Sequence, residues 1–294
     1  MIKTEKVEAK YLEYTSAAVP KIGKLIPEKL NYLSRDSIIT PNLKATYISV
    51  NKDNSRDHDC ENASSNIFYV LDGRGYSLFQ TGGKEYKLDW KEGDIFTIPY
   101  VKGKVSHLCE SEYIGLFYAS DKPLMDYLKC MPCSPRFTPL VYKKDDMLKE
   151  INKFNNEEGA EYRNRNGVLL TNSEMINEEL YTITHTMWSL MNSIGPNSIQ
   201  KPHRHNSIAI DLCVDVSKEA EEKEQVYTLM SENLNDRNEL IDPIKMVWKK
   251  GCTFTTPPGW WHSHHNESNN AAWVFPVQDA GLHTNMRTLD IRFV

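Results

Sequence analysis

WKEGDIFTIP, residues Trp90 to Pro99, recurs later in the chain as WKKGCTFTTP, residues Trp248 to Pro257. The two stretches share Trp, Lys, Gly, Phe, Thr and Pro in the same register, and both run into a turn that begins with proline. A repeat of this kind indicates that a domain has been duplicated within the chain. The sequence therefore predicts two related halves, each with one copy.

Short segments around both copies predict β-structure. They are rich in Val, Ile, Tyr, Phe and Thr and alternate with Gly, Asn and Asp, which is typical of strands joined by hairpins. Examples are ATYISV, NIFYVLDGRG, YSLFQTGGKEYKL and GDIFTIP. Two stretches between the halves are more helical, PLMDYLKC and DDMLKEINKFNNEEG, the second with Met147, Leu148, Ile151 and Phe154 at helical spacing. We expect them to form a connector in a mainly β protein.

Composition limits the classes of function. The chain has 294 residues, 40% of them hydrophobic, and a formal net charge of −5. It has no dense Lys/Arg block interleaved with aromatic residues, so we expect a small-molecule partner and no nucleic acid. The charged N-terminus and the lack of a long apolar run predict a cytoplasmic protein without membrane contact.

The six cysteines are expected to be reduced thiols, because the sequence shows no export signal. Cys130 and Cys133 form a lone CxxC stretch. No second CxxC exists to complete a zinc site, so we expect no function for this pair.

Histidines are concentrated in two short stretches. PHRHN carries His203 and His205, and PPGWWHSHHN carries His262, His264 and His265. Because successive side chains of a strand alternate between its faces, His203 and His205 point the same way, and so do His262 and His264. One pair is therefore expected to face the other across a barrel. His265 should point away, although a bulge in the strand would exchange it with His264.

These stretches resemble the two motifs of the cupin superfamily, small jelly-roll barrels that hold a metal inside. The first motif is His-x-His, and the second is P-x-G-x-x-H-x-x-x-N, from Pro257 to Asn266. The resemblance implies an all-β fold of two tandem cupin (double-stranded β-helix, jelly-roll) barrels with a short helical connector. It also implies that the metal ligands are His203, His205 and His262.

The predicted site consists of histidines alone. The family's usual glutamate, three or four residues after His-x-His, would fall at Ala209 or Ile210. Three neutral imidazoles leave a divalent ion its full charge and leave positions for substrate and oxygen. We expect Fe2+, with Mn2+, Ni2+ and Zn2+ as alternatives.

The remaining histidines divide into one candidate and several structural residues. His264 shares the face of His262, so it is the candidate catalytic acid or base. His58, His107 and His185 are expected to be structural. The stretch AGLHTNMRTLDIRF near the C-terminus, which contains His283, Arg287 and Asp290, is expected to form a closing strand.

Several phrases together resemble the gentisate 1,2-dioxygenase group of bicupins. THTMWSLMNSIGPNSIQKPHRHNS, VYTLM and FTTPPGWWHSHHN resemble its metal-bearing half, and GDIFTIPYVKGKVSH and LFYASDKPLMDYL resemble its metal-free half. The resemblance implies the opening of an aromatic ring with O2 at a three-histidine ferrous centre. In the first half of this chain DHDCEN replaces His-x-His and Lys104 stands in for His262, so no metal is expected there.

The chain departs from that group at several points. The metal-free half comes first, and the polar pair after HRH is shortened to Asn206-Ser207. The group's Trp-Leu-Asp phrase is WVF here, and Asp279 partly restores an acidic position. Asn206, Asp279, Trp260 and Trp261 are the candidate pocket residues, although a tryptophan in a barrel wall more often belongs to the core.

The leading hypothesis is an O2-dependent dioxygenase for a hydroxylated, aromatic carboxylate. The alternatives are a non-oxidative metal-dependent cupin enzyme, such as an isomerase, lyase or decarboxylase, and a non-catalytic binding cupin. We expect an N-terminal arm over residues 1–45, a metal-free barrel over 46–130, a partly helical connector over 131–170 and a metal-binding barrel over 171–294. A homo-oligomer is expected, and the arm could wrap a neighbouring barrel or cover its own.

Overall fold

A computed structural model describes residues 29–30, 38–52, 54–60, 62–159 and 166–294 of the chain. The first barrel is built from the strands β2 (Ile38–Ile39), β3 (Lys44–Asn51), β4 (Ser55–Asp59), β5 (Ser65–Asp72), β6 (Arg74–Thr81), β7 (Lys84–Lys91), β8 (Ile95–Pro99), β9 (Lys104–Cys109) and β10 (Tyr113–Ser120). The chain then forms α1 (Lys122–Leu128), β11 (Leu140–Tyr142) and α2 (Lys144–Asn155). The two stretches predicted to be helical are thus confirmed.

The second barrel follows the connector. Its elements are β12 (Asn166–Leu169), α3 (Ser173–Asn177), β13 (Trp188–Ile194), β14 (Ser198–His205), β15 (Ala209–Asp215), α4 (Lys218–Glu222), β16 (Val226–Ser231), β17 (Ile244–Val247), β18 (Thr253–Thr256), β19 (Trp261–Asn266), β20 (Ala272–Gln278), α5 (Ala280–Asn285) and β21 (Ile291–Phe293). One further short strand, β1 (Lys29–Leu30), precedes the first barrel.

Within these ranges the strands form four antiparallel sheets, two in each barrel. The first barrel has the strand orders β11-β8-β5-β10-β3-β2 and β4-β9-β6-β7. The second has the orders β1-β18-β15-β20-β13-β12 and β17-β16-β19-β14-β21. The two sets correspond strand for strand except for β21, so that β5 matches β15, β4 matches β14 and β9 matches β19. The predicted pair of tandem jelly-roll barrels is confirmed.

The larger sheets of the two barrels pack face to face. On β5, Ile67, Tyr69 and Leu71 point into a core between the barrels, whereas Phe68 and Val70 point into the interior of the first barrel. The matching strand β15 follows the same alternation. Both faces of these strands are therefore buried, which explains why they are apolar almost throughout.

The repeated Trp-Lys-x-Gly stretch forms the same turn in each barrel. Gly93 and Gly251 have positive φ angles of 86° and 76°, a conformation that glycine adopts without steric cost. Their backbone N–H groups donate to carbonyls of β5 and β15 at 2.8 and 2.7 Å. Trp90 and Trp248 fill the two barrel interiors. The repeat is thus a structural unit that closes one edge of each barrel.

Two short strands and one helix link the halves. β1 pairs with β18 of the second barrel, and β11 occupies the matching edge of the first barrel beside β8. The rest of the predicted N-terminal arm up to residue 37, namely residues 1–28 and 31–37, lies outside the described residues. Met147 and Ile151 of α2 pack into the core between the barrels. No helix among the described residues is long and apolar enough to cross a membrane.

The C-terminal stretch contains a helix as well as the expected strand. α5 covers Ala280–Asn285, where the prediction of a strand is wrong, and only β21 is extended. The helix lies directly on the backbone of Thr186 and Met187, where a Cβ on Gly281 would meet main-chain atoms at 2.5 to 2.7 Å. The absence of a Cβ on Gly281 therefore permits this close packing. All six cysteines, which lie in the described ranges, are free thiols as expected.

Candidate metal centre

Strands β14 and β19 bring four histidines into the interior of the second barrel. The two strands pair His203 directly with His262, after a register shift between Gln200 and His203. His205 lies two residues along β14 and His264 two residues along β19, so side-chain alternation puts all four on one face. All four are buried, with at most 6% of their surface exposed. We call these four residues the central histidines.

The central histidines lie close enough for several of them to hold one ion. The ring centroid of His262 is 3.9 Å from that of His203 and 5.0 Å from that of His205. Ring nitrogens of His203, His262 and His264 lie within 4.8 Å of one another, the one such cluster of three potential ligands in the described chain. His205 is outside that cluster, with its ring 6.3 Å from His203. The structure thus clusters two of the predicted ligands, His203 and His262, with His264, and leaves the third, His205, outside that cluster.

Hydrogen bonds to backbone carbonyls fix three of these rings. The Nδ1 atoms of His203, His205 and His262 face the carbonyl oxygens of Lys201, Ser207 and Trp260 at 3.4, 2.8 and 3.1 Å. A carbonyl can only accept, so each Nδ1 carries the hydrogen and each Nε2 carries the lone pair. A neutral imidazole oriented in this way is the form that binds a metal. The donor set therefore fits a divalent first-row ion.

His264 is held in a different way. Its Nδ1 atom lies 2.8 Å from the hydroxyl of Thr228, which accepts the indole N–H of Trp248 at 2.8 Å. A hydroxyl can donate or accept, so this contact is compatible with the hydrogen on either nitrogen of His264. With the hydrogen on Nε2, His264 would be a hydrogen-bond donor at that nitrogen.

The two candidate tryptophans and His265 lie beside the central histidines in different directions. Trp260 packs against the core of the second barrel. The guanidinium of Arg204 lies 5.0 Å from the centre of the Trp261 ring. The ring of His265 stacks on Tyr227 at a centroid distance of 4.8 Å, on the opposite face of β19 from His264.

Asn206 anchors the C-terminal segment against β14. Its side-chain amide donates to the carbonyl of Thr288 at 2.8 Å, and its side-chain oxygen accepts the N–H of Asp290 at 2.9 Å. β21 then pairs Phe293 with His203, and the two rings stack with centroids 5.9 Å apart. The observed contacts of Asn206 therefore build the rim of the histidine site.

Asp279 joins the two barrels. Its buried carboxylate accepts the N–H of Ile208 at 2.9 Å and the side-chain amide of Asn42 at 2.7 Å. Asp121 occupies the matching position after β10 and accepts the N–H of Ser65 at 3.1 Å. Burial raises the pKa of both carboxyl groups. The contacts of Asp279 are those of a residue that fixes the start of a strand.

The first barrel retains a histidine at one matching position. β4 and β9 pair His58 with Val105, as β14 and β19 pair His203 with His262. Val105 therefore takes the place of His262. The assignment of Lys104 to this position is wrong by one residue, because a strand's pattern gives its faces but not its register. Lys104 points outwards and is exposed.

A second histidine is shared by the barrels. His107 takes the place of His264, and its Nδ1 lies 2.9 Å from the hydroxyl of Ser77. That hydroxyl accepts the indole N–H of Trp90 at 2.9 Å, as Thr228 accepts that of Trp248 in the second barrel. Burial lowers the pKa of His107 to about 3.

The other matching positions of the first barrel are apolar. By the same registers, Cys60 stands where the second barrel has His205, and Phe68 stands where it has Asp211. The Phe68 ring lies 6.0 and 5.2 Å from the rings of the two shared histidines. At these two positions the first barrel therefore has a thiol and an aromatic ring in place of an imidazole and a carboxylate.

A separate cleft opens between the barrels beside α2. It has a volume of about 190 Å³, and its lining includes Tyr69, Met147, Met191 and Trp273. None of the central histidines lines this cleft. The histidine site is thus distinct from it.

The fold is shared with solved structures, although no family model and no curated protein matches the chain by sequence. Salicylate 1,2-dioxygenase from Pseudaminobacter salicylatoxidans matches with a TM-score of 0.67 and 12% identity, over 95% of this chain and 91% of that chain. A structure of the same enzyme as adducts with gentisate matches with a TM-score of 0.63 and 11% identity, over 86% of this chain and 72% of that chain. Vicilin from Corylus avellana (hazelnut) matches with a TM-score of 0.52 and 12% identity, over 86% of this chain and 77% of that chain.

These similarities identify the architecture. The chain has the bicupin fold seen in salicylate 1,2-dioxygenase, and its second barrel holds a cluster of three histidines able to bind a metal. At 11 to 13% identity the likeness concerns the fold alone. The vicilin match illustrates this limit, because a protein of a different name shares the same architecture.

Proposed function

We propose that the second barrel binds Fe2+ through His203, His205 and His262, and that the protein is an O2-dependent dioxygenase of a hydroxylated aromatic carboxylate. The observation that carries the proposal is the convergence of buried histidines inside a barrel similar to that of salicylate 1,2-dioxygenase. Three of these histidines have their Nδ1 atoms committed to carbonyls, which presents Nε2 to an ion.

The protein would hold and isolate the ion. Neutral imidazoles leave the divalent charge undiminished, and the low exposure of the four rings keeps bulk water away. Iron, when bound, would supply the redox chemistry that amino-acid side chains lack. The barrel would contribute the fixed positions of the reacting groups.

His264 is proposed as the proton donor or acceptor for the substrate. It shares the face of His262 and lies two residues along the same strand. Thr228 and Trp248 hold its ring in place from the opposite side. A group of this kind, within reach of the substrate, contributes about 10² to 10⁴ in rate.

Metal analysis of protein purified without oxygen tests the proposal when followed by O2-electrode traces. The iron-loaded protein is assayed with gentisate, salicylate and related hydroxy acids. We expect one iron per chain and O2 uptake that depends on the substrate. Tight binding of Mn2+, Ni2+ or Zn2+ without O2 uptake would favour a non-oxidative cupin enzyme instead. A chain without stoichiometric metal would favour a non-catalytic binding cupin.

A further inference from the structure

Four aspartates are buried in the described chain: Asp94, Asp121, Asp211 and Asp279. Three of them hold backbone N–H groups at strand starts or turns. The fourth, Asp211, lies in the middle of a strand that lines the second barrel. It calls for a different explanation.

The side chain of Asp211 points into the barrel. Its neighbours on β15, Ile210 and Leu212, face the core between the barrels, whereas Cys213, two residues on, belongs to the core of the second barrel. Alternation therefore turns Asp211 inwards. The hydroxyl of Thr256, on the adjacent strand β18, donates to its carboxylate at 2.6 Å.

Comparison with the first barrel shows what Asp211 faces. Phe68 takes the matching position there, and its ring lies 6.0 and 5.2 Å from the rings of the two histidines that correspond to His203 and His264. The same strand order and registers in the second barrel direct Asp211 towards His203 and His264. Asp211 is thus a carboxylate on the wall of the histidine site.

The negative charge of Asp211 limits which ligand groups can bind beside it. No lysine or arginine is buried in the part of the chain that the structure describes. Arg204, next to His203 in sequence, is instead placed over the ring of Trp261. A substrate carboxylate near Asp211 would meet a like charge, whereas an amino or hydroxyl group would find an acceptor.

We propose that Asp211 lines the substrate pocket and selects hydroxylated aromatic compounds that present a hydrogen-bond donor to it, an amino group or a second hydroxyl. Compounds that place a further carboxylate there are rejected. This inference rests on the proposed function and narrows its substrate class.

Anaerobic titration calorimetry on the iron-loaded protein tests the selection without turnover. The probes share a 2-hydroxybenzoate group: salicylate, gentisate, 5-aminosalicylate and 5-carboxysalicylate. We expect gentisate and 5-aminosalicylate to bind about ten-fold or more tighter than 5-carboxysalicylate, because a hydrogen bond to a charged acceptor is strong. In D211N this ratio should fall towards one, and D211S serves as a second variant if D211N does not fold.

D215N is the matched control, because Asp215 ends the same strand with an exposed side chain 3.7 Å from Lys250. It should keep the wild-type ratio, with iron content measured for every variant. An unchanged ratio in D211N, tightest binding of 5-carboxysalicylate, or binding of none of the four probes to the iron-loaded protein would overturn the inference. If the probes bind in the expected order but no O2 is taken up, the role of Asp211 is supported and the proposed dioxygenase activity is rejected.

Discussion

The two barrels of this chain have the same strand order and different interiors. Both carry the Trp-Lys-x-Gly turn, and both carry a tryptophan, a hydroxyl and a histidine in one hydrogen-bonded row. Among the inward positions at which they differ are three where the first barrel has Cys60, Val105 and Phe68 and the second has His205, His262 and Asp211. The same strand order therefore accommodates two different sets of interior side chains.

The comparison also separates shared from distinctive histidines. The positions of His203 and His264 carry histidine in both barrels, as His58 and His107 in the first. A histidine at these two positions is thus compatible with an aromatic core. His205 and His262 are the residues that distinguish the candidate metal centre.

The largest effect is expected from removing a ligand. In H203A, H205A or H262A two of the three proposed ligands remain, so metal affinity should fall by about 100-fold or more and iron should be lost during purification. Elemental analysis measures the iron content. H58A in the first barrel is the matched control and should keep one iron per chain. Stoichiometric iron in all three second-barrel variants would contradict the assignment.

The next effect concerns the choice between His205 and His264. H264A should keep its iron and lose turnover by about 10² to 10⁴, as expected for a proton-transfer group. Iron content and O2 uptake are measured on the same sample, with H107A as the control that should alter neither. If H264A loses iron and H205A retains it, the ligands are instead the closest cluster, His203, His262 and His264.

The shared tryptophans test whether the barrels are equivalent as structures. Trp90 and Trp248 are 3% and 0% exposed, so W90A and W248A should each lower the free energy of unfolding by about 3 to 5 kcal/mol. Urea unfolding followed by circular dichroism measures both. W90F and W248F keep most of the volume and should cost less. A much smaller loss for one alanine variant would show that its barrel depends less on the repeat.

Local pattern was sufficient to predict the architecture and the histidine pairs. The repeat at Trp90 and Trp248 predicted two related halves, and the resemblance to the cupin motifs predicted that they are barrels. A strand period of two put His203 with His205 and His262 with His264. The pairing of β1 with β18 was not predictable, because it joins segments far apart in sequence.

The sequence did not predict the register of β9 or which face of β15 points into the barrel. Lys104 and Val105 are adjacent, and a shift of one residue exchanges the outward and inward side chains. Asp211 is a lone acid in the apolar run AIDLCV, which is the available signal for it. Both faces of this strand are buried because the barrels stack, so the run does not reveal which face lines the site.

The smallest effect is a pH dependence from His107. Burial lowers the pKa of His107 to about 3 from an ordinary value of 6.5. Between these two pH values His107 therefore binds a proton in the unfolded chain but not in the folded chain. The free energy of unfolding should therefore fall as the pH drops below 6.5, by up to about 1.4 kcal/mol per pH unit, and be unaffected by this group at higher pH. H107Q removes the titrating group and should show a shallower slope.

Urea midpoints of the wild type and H107Q at about pH 7, 6 and 5 measure this difference. His185 is the necessary control, because burial also lowers its pKa, to about 4, and H185Q should flatten the slope by a comparable amount. Equal slopes in the wild type and H107Q would mean that His107 accepts a proton without loss of structure. The interior of the first barrel would then accommodate a charged imidazolium, and it would differ less from the interior of the second barrel than its aromatic and apolar side chains indicate.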